Sequence, residues 1–349
     1  MDKRNVIVIG ASAGGFDAIK KIVSGLPADL DVSVFIVWHM SPDVRGILPE
    51  VLNKLGTLPA AHAVDMEPIK SRCIYIAPPD RHMLIEHGYV RITKGPKENR
   101  FRPAVDPLFR SAAYTYGSRV IGIILSGALD DGTAGLWAVK EHGGIAIVQD
   151  PYDADVPSMP QSALNAVDVD FMVSVAELPA LLISLTREFV QILGEEEKKD
   201  GLAGLEVKIA LEEKSLKDNV MKFGKLTPYT CPDCHGVLTS IREGNSIRFR
   251  CHTGHAFSAG TLLAAISDGI EENLWSAIRN IRESALLLNH MGDHFAEDNQ
   301  PKLAATYFNK AKDADARAEK LREAVVANEQ LSALTIKQQV DNERYNAAV

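Results

Sequence analysis

The first half of the chain alternates fully apolar runs with stretches whose apolar residues recur every three or four positions. Residues 6–9 and 120–125 are apolar almost without interruption, the pattern of strands buried on both faces of a sheet. Further strand patterns fall at 32–38, 73–77 and 145–149, and 82–92 reads as a hairpin turning at His87-Gly88. Helical patterns fall at 16–24, 46–55, 132–141 and 175–193. Strand and helix in alternation predict an α/β fold, a doubly wound and mostly parallel sheet with helices on both faces.

Near residue 195 the pattern changes. Residues 195–200 are a charge run, and 195–226 reads as a charged linker or exposed helix. Residues 227–257 are rich in Cys and His, and helical patterns follow near 259–290, 301–328 and 330–345. In the first of these, Leu262, Leu263, Ile266, Ile270, Leu274, Ile278 and Ile281 form an apolar stripe meant to pack on something. Met291-Gly292-Asp293 and Asn299-Gln300-Pro301 read as breaks. The division expected is therefore 1–194, an α/β domain; 195–226, a linker; 227–257, a small module; and 258–349, a helical region.

Composition narrows the class without naming it. The chain is 46% hydrophobic and 24% charged with a formal net charge of -8, which argues against a dedicated nucleic-acid binder. No stretch approaches the ~18 apolar residues of a membrane span, and the N-terminus lacks a signal-peptide pattern. A cytoplasmic location is expected, with no membrane insertion. Of four cysteines, Cys73 stands alone as a small hydrophobe, and Cys231, Cys234 and Cys251 cluster, which is no disulfide framework.

Gly10-Ala11-Ser12-Ala13-Gly14 has the G-x-S-x-G spacing that holds a serine on a tight strand-to-helix turn. A glycine-rich first turn also suits a phosphate, but the G-x-G-x-x-G order is absent and no P-loop lysine follows. A serine nucleophile needs a base and an acid that orients it. His39 follows the strand 32–38, and Asp130-Asp131 follow the strand 120–126. Either residue alone also fits a structural role, Asp131 as a helix cap before Gly132. In an open α/β sheet, however, the carboxyl ends of the strands line one crevice, where Ser12, His39 and Asp131 can converge.

Several blocks extend the pattern in order: Trp38-His39-Met40, Ile74-Tyr75-Ile76-Ala77-Pro78-Pro79-Asp80-Arg81-His82-Met83, Arg102-Pro103-Ala104-Val105-Asp106, Leu125-Ser126-Gly127-Ala128-Leu129-Asp130-Asp131-Gly132, Gln149-Asp150-Pro151 and Met159-Pro160. Together with the serine turn they resemble the catalytic domain of the bacterial chemotaxis protein-glutamate methylesterases (CheB type). The resemblance implies a Ser12, His39, Asp131 triad that hydrolyses γ-glutamyl methyl esters through an acyl-enzyme, with deamidation of glutamines by the same route. It implies oxyanion donors at the backbone N–H groups of Ala13 and Ala128, where the family often has a hydroxyl residue and a methionine. It implies no cofactor for catalysis, and methylated chemoreceptor cytoplasmic domains or similar signalling proteins as partners. Asp80 stands where the family has glycine. The resemblance begins at about residue 4, and a chain without the family's usual N-terminal receiver domain is expected to be controlled differently. The competing readings are an esterase of another signalling protein and a scaffold that keeps only the fold. His82 lies in a family block, and a structural role in shaping the cleft is expected for it.

The second chemistry is Cys231-Pro232-Asp233-Cys234 followed after 16 residues by Cys251-His252-Thr253-Gly254-His255. Two such knuckles flanking strand patterns at 237–242 and 246–250 predict a zinc ribbon. Cys231, Cys234 and Cys251 are the firm ligands; the fourth is His255, with His252 as the alternative and His235 the outsider. Four protein ligands make a closed, structural site, so a chelator is expected to disorder the ribbon and spare the esterase. Arg242, Arg248 and Arg250 read as a small basic stripe. Given the overall acidity, protein contact through the ribbon and the C-terminal helices is expected, and no nucleic acid.

Overall fold

The computed structural model describes residues 2–39, 47–190, 202–211, 224–243 and 246–328. The first elements are β1 (Asp2–Lys3), β2 (Val6–Ala11), α1 (Gly15–Ser24), β3 (Ser33–Trp38), α2 (Leu48–Leu55), β4 (Ala60–His62), β5 (Cys73–Ile76), β6 (His82–Glu86) and β7 (Tyr89–Thr93). There follow α3 (Val105–Tyr116), β8 (Val120–Ile124), α4 (Thr133–Glu141), β9 (Ile145–Gln149), α5 (Ser158–Ala166), β10 (Phe171–Val173), α6 (Leu178–Leu185) and β11 (Phe189–Val190). Beyond these lie α7 (Leu202–Ala210), β12 (Lys225–Thr230), β13 (Val237–Glu243), β14 (Ser246–Cys251), β15 (Ala256–Ser258), α8 (Ala259–Glu297) and α9 (Pro301–Val326).

Seven strands form one parallel sheet in the order β10-β9-β8-β2-β3-β5-β4. The apolar runs explain why it is covered twice. Along β2 the side chains alternate, Ile7 and Ile9 entering one core and Val6 and Val8 the other. α1, α2 and α6 close the first core and α3, α4 and α5 the second. The chain runs from β2 to β3 on one side and later to β8 on the other. The carboxyl end of β2 is thus a switch point, where such sheets form a crevice.

Three expectations change here. The helix expected at 175–193 ends at Leu185, and Phe189–Val190 instead pairs antiparallel with Asp2–Lys3, beside an Arg4–Glu188 ion pair. No expected helix covers α3, although Val105, Leu108, Phe109, Ala112, Ala113 and Tyr116 recur at helical spacing; ten of its residues are buried, the polar Asp106, Arg110, Ser111 and Thr115 among them. The 195–226 stretch is not simply a solvated linker: in α7, Leu205, Glu206, Val207, Ile209 and Ala210 are buried, and the helix packs on α3.

Strands β12 to β15 form an antiparallel sheet that extends the expected 237–242/246–250 hairpin by one strand on each side. It belongs to one compact unit, Met1–Leu262, with the α/β domain. The join is ionic and dry. Arg248 and Arg250 of β14 meet Glu98 and Glu206; Arg110 of α3 meets the same two glutamates; and Glu243 faces Arg248, with side chains 1–7% exposed. The surface basic stripe expected at Arg242, Arg248 and Arg250 is therefore not formed: two of its three arginines are interior. A detachable ribbon is not what this chain builds.

The second unit is Leu263–Val349. Within it α8 and α9 pair as an antiparallel hairpin, Ile278 near Ala318 and Val325, Ala285 near Ala311 and Ala314, and Phe295 stacked on Tyr307. The break expected at 291–293 does not occur. Gly292 stays helical because the Phe308 ring lies 2.6 Å from where a Cβ would stand, so the glycine is there for close approach. The break at 299–301 does occur, α9 beginning at Pro301. The third helical pattern, 330–345, lies outside the described residues. No helix among the described residues is long and apolar enough to cross a membrane.

Candidate active site

The ends of three neighbouring strands are stitched together. The Ser12 N–H donates to Ser126 O beyond β8 at 3.0 Å, and the His39 N–H donates to Ala11 O at the end of β2 at 3.0 Å. Ser12 then enters a turn closed by Gly15 N donating to Ser12 O, with Gly14 in the left-handed region at φ 73. A side chain at Gly14 would be strained in backbone and would press on Asp155 and Ser126. Trp38 Nε1 donates to Ser12 O at 3.0 Å and fixes the turn from the β3 side.

Asp131 is fully buried and collects five donors. Its Oδ2 accepts from His39 Nε2 at 2.8 Å and Val105 N at 2.7 Å. Its Oδ1 accepts from Asn99 Nδ2 at 2.9 Å, Gly132 N at 3.0 Å and, more weakly, Asp106 N at 3.4 Å. Burial works against the charge, but His39 and these donors prevail and hold the carboxyl below the ordinary aspartate value. Asp131 is thus a fixed anion behind His39. Its neighbours yield to it: burial and the Asp131 charge push Asp106 up to about 7, and burial pushes Asp130 up to about 6.

With Nε2 committed to Asp131, His39 presents Nδ1 as its second nitrogen. That atom is buried and has no hydrogen-bond partner. The ring lies flat against Phe101, centroids 3.9 Å apart and planes 12° apart. Ser12 and His39 line one cleft of about 510 Å³ with Trp38, Phe101, Lys97 and Arg102. Among the described residues Ser12 Oγ makes no hydrogen bond. Serine, histidine and aspartate are therefore brought to one crevice, with the His39–Asp131 contact made and no hydrogen bond between Ser12 Oγ and His39. A phosphate cradle would need neither the base nor the buried anion behind it.

Ala13 and Ala128 are both exposed, Ala13 in the lining of this cleft, and among the described residues neither N–H donates to a protein acceptor. His82 is buried, its Nε2 donating to Pro96 O at 2.9 Å and its Nδ1 accepting from Ala104 N at 3.3 Å. Burial lowers its pKa, so it stays neutral and ties down the segment that carries Arg100 and Phe101. The structural role expected for it fits. Asp80, at the glycine position of the family, is anchored by Arg102 and Lys94.

The sequence did not single out Asn99 or Phe101. Both precede Pro103 in an irregular loop, where no periodicity marks a side chain as inward. Only the adjacent Arg102-Pro103 block pointed near them.

Cys231, Cys234, Cys251 and His255 bring four ligand atoms within 4.8 Å of one another. Cys234 Sγ and Cys251 Sγ are 3.6 Å apart, and His255 Nδ1 lies 3.7 and 3.6 Å from Cys231 Sγ and Cys251 Sγ. A tetrahedral zinc with ~2.3 Å Zn–S bonds sets its sulfurs about 3.8 Å apart, so the donor set fits. His252 instead packs where a side chain on Gly236 would stand, and His235 is likewise outside the cluster.

A family model described as CheB methylesterase matches residues 7–182. A protein of Leptospira interrogans is 41% identical over 180 residues, 51% of this chain and 93% of the relative, and is provisionally named protein-glutamate methylesterase/protein-glutamine glutaminase. The protein-glutamate methylesterase/protein-glutamine glutaminase 2 of Anaeromyxobacter dehalogenans is 36% identical over 52% of this chain and 53% of its own length. The crystal structure of the Thermotoga maritima CheB methylesterase catalytic domain is similar with a TM-score of 0.50 and 34% identity, over 53% of this chain and 99% of that one.

Proposed function

Because the chain belongs to the CheB methylesterase family, we propose that it is a protein-glutamate methylesterase, with glutamine deamidation by the same route, acting through Ser12, His39 and Asp131. The observation that carries the assignment of roles is the His39–Asp131 pair, which leaves one buried, unpartnered imidazole nitrogen on a residue that lines the same cleft as Ser12. His39 Nδ1 takes the Ser12 Oγ proton as Ser12 attacks the γ-carbonyl of a glutamyl methyl ester. The N–H groups of Ala13 and Ala128 receive the oxyanion. The imidazolium, stabilised by Asp131, returns its proton to the leaving methoxide, and methanol departs. Water, deprotonated by His39, then releases the acyl group as a free glutamate. With a glutamine side chain ammonia leaves instead. No cofactor enters these steps.

The substrates in this reading are methylated chemoreceptor cytoplasmic domains or similar signalling proteins, and the site of action is the cytoplasm. The helical hairpin supports protein docking, since Ile270, Trp275, Leu286 and Leu287 are exposed along α8. Methanol release from a methylated chemoreceptor cytoplasmic fragment, mixed with the full chain, tests the substrate. Turnover of the fragment supports it. Hydrolysis of a small γ-glutamyl methyl ester alone favours an esterase of another signalling protein, and no turnover of either leaves only a scaffold.

Cys231, Cys234, Cys251 and His255 would hold one structural zinc, closing the turn between β12 and β13 onto the end of β14. Metal analysis of the purified chain is expected to find about one zinc per chain, and Cys251→Ser to lose it. Metal-free wild-type protein with an intact β12–β15 sheet would overturn the zinc assignment.

A further inference from the structure

Asn99 is 1% exposed, holds a left-handed backbone at φ 50, and spends its whole amide on two pairs of partners of different origin. Its Nδ2 donates to Asp131 Oδ1 at 2.9 Å and to Asp106 Oδ2 at 2.8 Å, inside the α/β domain. Its Oδ1 accepts from Ser258 N at 3.0 Å and Thr261 Oγ1 at 3.2 Å, and its own N–H donates to Ala256 O at 2.8 Å. Those three residues belong to β15 and the first turn of α8.

The amide cannot turn over. A flip would point its oxygen at two carboxylates and its NH₂ at two donors. The donors are themselves fixed, because Ser258 and Thr261 cap α8 reciprocally: Ser258 Oγ accepts from Thr261 N, and Thr261 Oγ1 accepts from Ser258 N, each at 2.9 Å. Ser258 Oγ also donates to Asp130 Oδ1 at 2.8 Å. The end of the C-terminal sheet therefore grips the amide that grips Asp131. Apart from His39, Asn99 is the one side-chain donor to Asp131 among the described residues.

We propose that Asn99 is a positioning residue for the His39–Asp131 pair, and that the β12–β15 sheet, through Ser258 and Thr261, sets its orientation. The extension is then a working part of the catalytic module. The inference rests on the esterase reading for its consequence, since an Asp131 held by this amide fixes where and how strongly His39 accepts a proton. The titratable groups that face Asp131 are His39, His82, Asp106 and Asp130, with Arg110 and Arg248 behind the two aspartates.

Three variants of the full chain test it. Asn99→Gly accepts the left-handed backbone and removes the amide; Thr261→Val keeps the shape and removes one grip; the third combines both. The His39 imidazole is titrated by NMR without substrate, and kcat and KM for a small γ-glutamyl methyl ester are followed against pH. Losing a donor leaves Asp131 a stronger anion, so His39 titrates higher. In Asn99→Gly the titration and the acid limb of kcat/KM are expected to move up by about one pH unit, with kcat falling about tenfold and KM unchanged. Thr261→Val is expected to shift both in the same direction by less, and the double variant to match Asn99→Gly alone. A wild-type His39 titration in either folded single variant, or additive effects in the double, overturns the proposal. Failure of the wild type to hydrolyse any ester sinks the esterase reading instead, while the NMR titration still reports on Asn99.

Discussion

Ser12→Ala is expected to lower kcat for ester hydrolysis by a factor of ~10⁴ or more and to leave the melting temperature within a few degrees of wild type. The two halves of that expectation come from different atoms of one residue. The turn is held by the Ser12 main chain, whose N–H bonds Ser126 and whose carbonyl accepts from Gly15 and Trp38. Alanine keeps all of these. What it removes is Oγ, which makes no hydrogen bond among the described residues and belongs to a residue lining the cleft with His39. Without it the His39–Asp131 pair has no proton to take, and only the binding and oxyanion contributions survive. Methanol release and a thermal melt on the same preparation check both halves. Turnover within tenfold of wild type would mean that another group attacks the ester. A collapsed melt with activity lost would leave the loss to misfolding, in which case Ser12→Cys, which keeps a heteroatom, decides the role.

The parts of this site that were legible in the sequence are those that sit on regular structure. Ser12, His39 and Asp131 each follow an apolar strand, and strand ends of an open α/β sheet line one crevice. The ordered family blocks did the rest. Cys231, Cys234, Cys251 and His255 were legible for a different reason: metal geometry constrains short spacings, so the ligands announce themselves locally. Burial by distant chain was what the sequence concealed. Glu206 in a charged stretch, and Arg248 and Arg250 on an alternating strand, read as solvent-facing by every local rule. They are interior only because α7, β14 and α3 meet, and each charge finds its opposite there. In α3 the apolar residues keep the helical period, but that its polar face, Asp106, Arg110, Ser111 and Thr115, is interior could not be read from the sequence. Asn99 was hidden twice, by an irregular loop and by partners 159 and 162 positions away.

Glu206→Ala is expected to destabilise the Met1–Leu262 unit by about 3–5 kcal/mol, the usual cost of stranding buried charge. Glu206 is 1% exposed and contacts Arg110, Arg248 and Arg250, one from the α/β domain and two from the sheet. Its loss leaves three interior guanidiniums facing Glu98, Glu243 and, beside Arg110, Asp106. Burial disfavours its charge, but the three arginines outweigh burial and hold its pKa at about 2 against an ordinary 4.5. A depressed carboxyl contributes stability in full above its unfolded value and loses it as protons bind the folded state. This contribution is therefore present above about pH 4.5 and lost as pH falls toward about 2. Asp106 works in the opposite sense, since burial and Asp131 raise it from 3.8 to about 7. Its contribution is complete below pH 3.8 and lost as pH rises through about 7. Urea unfolding across pH is thus expected to give greatest stability between these limits, with a steep acid side that flattens in Glu206→Ala. A loss below about 1 kcal/mol, or an unchanged acid slope, would show that water reaches the cluster and that the sheet is joined to the esterase by something other than these charges.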